Sequence, residues 1–187
     1  MAVSSAATAS VSPVADQVIF AAVLAFSSVS LQQPTATGNG LTWAVVAAVD
    51  LDATRKLTVF RAQGAAPSAG AITFDFAGVT QTSFVWSIVQ YDVAGPEAQN
   101  KTATSIGNDI TVTLDNALDS ASSRMLVFIA SVSVVPSVDA DFTQLSARLV
   151  GTNNIHLLAE HAAGQSSCTG SGTAQARGAV GVEVAAV

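Results

Sequence analysis

The sequence predicts an all-β chain, a single antiparallel β-sandwich or barrel of about eight or nine strands. Short runs rich in Val, Ile, Thr and Phe recur at fairly regular spacing, separated by clusters of Gly, Pro, Asn, Asp and Ser. Half of the 187 residues are hydrophobic, yet only 11% are charged, too few to clothe the outer faces of a helical bundle. The same figures exclude a disordered chain, which would be rich in charge and poor in Val.

Each run has its own signature. Residues 18–26 (V-I-F-A-A-V-L-A-F) are apolar throughout. Nine such residues fit a strand but not a bilayer-spanning helix, which needs about twenty. Asp16 precedes the run and the first basic residue is Arg55, so it does not read as the core of a signal peptide. Residues 34–40 (P-T-A-T-G-N-G) supply turn chemistry, with Asn39-Gly40 able to take positive φ. Residues 41–49 form a second run containing Trp43, and 50–54 turn the chain. In 57–60, Leu57 and Val59 share one face, and Thr58 and Phe60 the other.

Residues 64–70 form a loop, after which Ile72, Phe74 and Phe76 alternate with Ala71, Thr73 and Asp75. Residues 83–91 form a β-rich run around Trp86, and 110–114 alternate Ile, Val and Leu with Thr. Residues 124–135 are the most apolar strand candidate, and 179–187 the last. Two stretches fit less well. Phe142, Leu145 and Leu149 fall at helical spacing, which leaves a single helical turn open as one alternative within 141–149, and 155–160 reads equally as a strand. Residues 43–50 and 86–92 both place Trp before an apolar run and Asp after it, a likeness too slight to establish a repeat. Nothing resembles an interdomain linker. We therefore expect one domain over 13–187, preceded by an N-terminal contact segment over 1–12.

No constellation of catalytic residues stands out. His156, Glu160 and His161 (H-L-L-A-E-H) miss both zinc-protease spacings by one residue, and positions five apart face opposite sides of a strand. Gly170-Ser171-Gly172 lacks the glycine spacing of a nucleophile elbow, and 164–178 reads as a flexible loop or a weakly apolar edge strand. The pairs Asp50/Asp52 and Asp139/Asp141 sit in turns, where Asp bonds its own backbone. A calcium loop would need a fuller run of oxygen ligands. Cys168 is the sole cysteine, which excludes an internal disulfide, and no basic neighbour in sequence would activate its thiol. Asn100-Lys101-Thr102 matches a glycosylation sequon that carries no weight without a secretory signal. The reading is therefore non-enzymatic, with no catalytic residue, cofactor or metal expected. The seven basic residues are scattered over a net charge of -6, which argues against direct nucleic-acid binding. Trp43, Trp86 and Tyr91 are the candidate members of an aromatic glycan platform.

The runs T-G-N-G-L-T-W-A-V-V at 37–46, L-T-V-F-R-A at 57–62, G-A-A-P-S-A-G-A-I-T-F at 64–74 and W-S-I-V-Q-Y at 86–91, with G-V-E-V at 181–184, carry a resemblance. Across roughly residues 8–187 the chain resembles a group of β-sandwich proteins that are minor structural proteins of tailed bacteriophages and prophages. The resemblance implies a jelly-roll-like sandwich and a place in the virion, assembled in the host cytoplasm, without a membrane span. The expected function is a capsid decoration (cement) protein on the outside of the head, with the major capsid protein or tail subunits as partners and self-association on the virion. The alternative is a tail or fibre adhesin for host-surface glycan. The composition, rich in Ala, Ser, Thr and Val with only two lysines, independently suits broad faces held against neighbours.

Overall fold

The computed structural model describes residues 3–92, 97–118, 123–150, 154–162 and 164–185, the side chains of 154–162 excepted. The described chain is all-β and antiparallel. Where the sequence suggests eight or nine strands in one sandwich, the structure has fifteen among the described residues, arranged in four sheets.

The first seven strands are β1 (Ser5–Ala7), β2 (Val18–Phe26), β3 (Thr35–Thr37), β4 (Ala44–Asp50), β5 (Arg55–Ala62), β6 (Thr73–Asp75) and β7 (Ser83–Tyr91). They form a four-stranded sheet, β4-β5-β2-β7, and a three-stranded sheet, β1-β6-β3. The remaining strands are β8 (Asn100–Ser105), β9 (Asp109–Thr113), β10 (Arg124–Ser131), β11 (Ser137–Val138), β12 (Thr143–Val150), β13 (Asn154–Ala162), β14 (Ser167–Ser171) and β15 (Arg177–Val184). They form a five-stranded sheet, β12-β13-β10-β15-β8, and a three-stranded sheet, β11-β14-β9.

Three apolar clusters stack these sheets into four layers. The central one joins Val18, Phe20, Ala22 and Leu24 of β2 and Leu57 and Val59 of β5 to Leu126, Phe128 and Ala130 of β10 and Val180, Val182 and Val184 of β15. The alternate residues of β2 (Ile19, Ala21, Val23, Ala25) pack outward on Phe74 and the small first sheet. Those of β10 (Met125, Val127, Ile129) pack outward on Ile110, Val112 and Cys168 of the small second sheet. A strand buried on both faces has no polar face to alternate with. This is why 18–26 and the start of 124–135 read as unbroken apolar runs. The split of Leu57 and Val59 from Phe60, and the burial of Ile72, Phe74 and Phe76, follow the alternation in the sequence.

Elsewhere the structure departs from the sequence reading. Residues 143–150 form a strand, not a helical turn, because pairing with β13 overrides the helical spacing, with a register shift between Gln144 and Ser146. The other undecided stretch is β13 itself. The Ser/Gly-rich stretch 164–178 contains β14, the middle strand of its sheet. Within the N-terminal segment, β1 pairs with β6, Val3 bridges Gln81 and Val11 bridges Gly70.

The two halves of the chain repeat one strand order. Replacing β1–β7 with β9–β15 in turn converts β4-β5-β2-β7 into β12-β13-β10-β15, and β1-β6-β3 into β9-β14-β11. The stacking is reciprocal as well: β4 and β5 meet β15 as β12 and β13 meet β7. Among the described residues, β8, beside β15 and under β4, is the one strand with no counterpart in the first half.

Close layers also explain the glycines of β15. A Cβ on Gly178 would stand 2.7 Å from Leu51 Cδ1 and 3.0 Å from Val49 Cγ1, and one on Gly181 would stand 3.2 Å from Val112 Cγ2 of the small second sheet, besides 2.8 Å from Met125 Cε of the adjoining strand. Gly178→Val is expected to lower stability by about 1–3 kcal/mol through overpacking, read as the urea midpoint. Gly70→Ala, where nothing lies within 4 Å, is expected to leave the midpoint unchanged within about 0.5 kcal/mol.

Candidate functional site

The carboxylate pairs identified in the sequence do not converge. Asp52 accepts hydrogen bonds from the Thr54 backbone N–H, the Thr54 hydroxyl and Arg55, each at 2.7 Å. Burial opposes its charged form, but these donors outweigh it and hold the carboxyl below the usual carboxylate range. Asp50 pairs instead with Lys56. Asp139 accepts the backbone N–H of Thr169 at 2.7 Å, while Asp141 faces Gln165. All four belong to turns or strand ends, as their spacing suggests. Among the described residues, no three His, Cys, Asp or Glu side chains stand together as a cation site. His156, Glu160 and His161 lie in β13 opposite Ala130, Leu126 and Met125 of β10, and their side chains lie outside the described residues. Ser171 ends β14, Gly170 packs against Ile129, and Asn100, Lys101 and Thr102 lie exposed on β8.

Cys168 is fully buried among Ile110, Val112 and Ile129. Burial first, and then the charge of Asp139, push its thiol up to about 12. The native thiol is expected to resist alkylation at pH 8 and to react at once in urea. Because the folded pKa is raised, its contribution to stability is constant below the unfolded value of about 9 and lost as pH rises from there towards 12. Alkaline unfolding of Cys168→Ala should be correspondingly less steep in that window.

The sequence did not distinguish Arg177 from the other scattered cations, yet it is fully buried. Its guanidinium donates to the Gly107 and Thr173 carbonyls, each at 2.7 Å, and so ties two loops at one end of the sheets. Burial lowers its pKa, partly offset by Asp109. Asn39 does similar work at the other small sheet. It takes positive φ, as the Asn-Gly pair predicts, and its amide donates to the carbonyls of Val11, Ser68 and Gly70. Both residues tie loops together through backbone carbonyls.

The aromatic residues do not form one platform. Trp43 precedes β4 at one edge of the four-stranded sheet and donates its Nε1–H to the Gly38 carbonyl at 3.1 Å. Trp86 and Tyr91 lie on β7 at the opposite edge. Trp86 packs towards the small first sheet, whereas Tyr91 packs towards the central cluster. Trp86 instead belongs to a cleft of about 240 Å³ between β7 and β12, lined by Phe84, Val85, Trp86, Arg148, Leu149 and Val150. Arg148 crosses the edge of β7 to lie 5.1 Å from the centre of the Trp86 ring. Below it the Ser87 and Ser146 hydroxyls meet at 3.2 Å. Leu149 is 58% exposed and Val150 38%, so the lip of the cleft is apolar and open. In a Trp43→Phe background, Arg148→Ala is expected to raise acrylamide quenching of Trp86 while changing stability by less than about 1 kcal/mol.

No family model, no curated protein and no solved structure matches the chain. Among the described residues, no helix is long and apolar enough to cross a membrane.

Proposed function

We infer that the chain is a non-enzymatic structural protein of a bacteriophage virion, a decoration protein bound to the outside of the assembled head. The observation that carries this reading is the largely apolar margin formed by β7, which has no charged residue, and the exposed Leu145, Leu149 and Val150 of β12, with Arg148 its one charge among the described residues. Such a margin suits contact with a protein neighbour better than capture of a small polar substrate. The resemblance of residues 8–187 to virion sandwich proteins and the sparse charge point the same way. We read each half as a variant of the jelly roll. In the second half the order β8-β15-β10-β13 over β9-β14-β11 is that of two interleaved Greek keys, with β12 moved to the larger sheet.

A decoration protein works by binding the assembled shell and not its parts, so that its binding energy adds to the stability of the shell. The major capsid protein is the partner in this reading, with several copies placed by the symmetry of the head. The glycan-binding tail adhesin is the competing reading, and the open cleft over Trp86 is the place it would use.

The test is binding of the purified protein to heads that lack it, with tails and host envelopes alongside. The expected result is saturable binding to heads and an upward shift in their heat-disruption temperature. Binding to tails or envelopes with none to heads would replace the decoration reading with the adhesin.

A further inference from the structure

The repeat of strand order leaves one place empty. In the second half, β8 pairs antiparallel with the outer edge of β15, from Arg177↔Ser105 to Val182↔Asn100, and lies under β4. In the first half, β7 takes the part of β15 and β12 the part of β4, but among the described residues no strand continues the sheet beyond β7. The cleft lined by Trp86, Arg148, Leu149 and Val150 lies where that strand would run.

Among the described residues no strand pairs with the outer edge of β7 over 84–90, while Ser83 and Tyr91 at its ends have partners of their own. Edge strands are ordinarily protected by a lysine, a proline, a bulge or brevity. β7 has nine residues, S-F-V-W-S-I-V-Q-Y, with no charge and no proline, and it pairs with β2 without a register shift. Only Arg148 stands across the edge. It has no ion pair among the described residues, and a cation–π contact holds its flexible arm over Trp86.

The geometry points to β7 as a docking edge for an extended segment of a partner polypeptide, added antiparallel between β7 and the overhang of β12. The occupant is a strand of about six residues, the length of β8, with small or β-branched side chains. It carries a carboxylate rather than a cation, since Arg148 is the charge at the cleft. A second copy joined edge to edge through β7 fits worse, because its own β12 would enter the space already covered by the first. This assignment does not depend on the virion reading, and a head-binding result leaves it untouched.

The probe is the strand that fills the equivalent place. In one form, residues 1–2 are replaced by a copy of Gln99–Asn108 carrying Lys101→Glu, so that the copy leads into β1 as β8 leads into β9. In the other, the same ten-residue peptide is added in trans. The expected result is at least tenfold slower amide exchange within 84–90, with a blue shift of Trp86 emission in the Trp43→Phe background. Proline at the copied positions of Thr102 and Thr104 should abolish both effects, and Leu149→Asp in the cleft should weaken them. Unchanged exchange within 84–90 in a folded, extended chain would overturn the assignment. So would concentration-dependent protection of β7 in the unextended protein together with a doubled mass, which would make the occupant a second copy.

Discussion

The face-to-face packing of the two larger sheets is the constraint on which the rest of the molecule depends. Phe20 and Leu24 from one sheet and Leu126, Phe128 and Val182 from the other share one dry layer. Each of these sheets is covered again on its far side by a three-stranded sheet. β2, β10 and β15 are therefore solvated on neither face, and their sequences cannot afford a polar alternation. Glycine at 178 and 181 follows from the same closeness, since a side chain there would collide with a neighbouring layer. The burial of Cys168 and the raised pKa of its thiol are further consequences.

A stack so apolar leaves its few polar groups to work at the margins. Arg177 and Asn39 spend their donors on loop carbonyls, at opposite outer layers of the molecule. Lys56–Asp50 and Lys101–Asp115 are surface pairs, each worth little on its own. Cohesion rests on apolar burial and backbone pairing, with electrostatics in a minor part. The low charge of the whole chain is compatible with this, and it leaves strand edges and apolar lips as the features a partner could recognise.

Those edges are unequal in the two halves, and the inequality is where structure approaches function. One half closes the edge of its last strand with β8, whereas the corresponding edge of β7 ends at a cleft with a tryptophan floor, an arginine across it and two exposed aliphatic side chains at its lip. Asp50, Asp52, Asp139 and Asp141 each turn to a separate partner, so these four carboxylates do not converge.

By itself the sequence determined the all-β class, the long strands β2, β7 and β10, the alternation through the short β6, and the turn at Asn39-Gly40, because these depend on local alternation, apolar runs and φ preference. It also placed the Asp pairs at turns or strand ends, although only Asp52 bonds its own neighbouring backbone, while Asp50, Asp139 and Asp141 meet Lys56, Thr169 and Gln165. The short strands β1, β3 and β11 left no trace, being two or three residues of Ser, Ala, Thr or Val, and β14 showed only as one of two readings of 164–178, a loop or a weakly apolar edge strand. Residues 143–150 stayed undecided in the sequence because Leu145 and Leu149 are exposed on an edge strand, where their spacing reports no buried face. Tertiary structure alone decided the four layers, the repeated strand order and the separation of Trp43, Trp86 and Tyr91. Each of these depends on which strands become neighbours, and pairing between distant segments leaves no period in the chain.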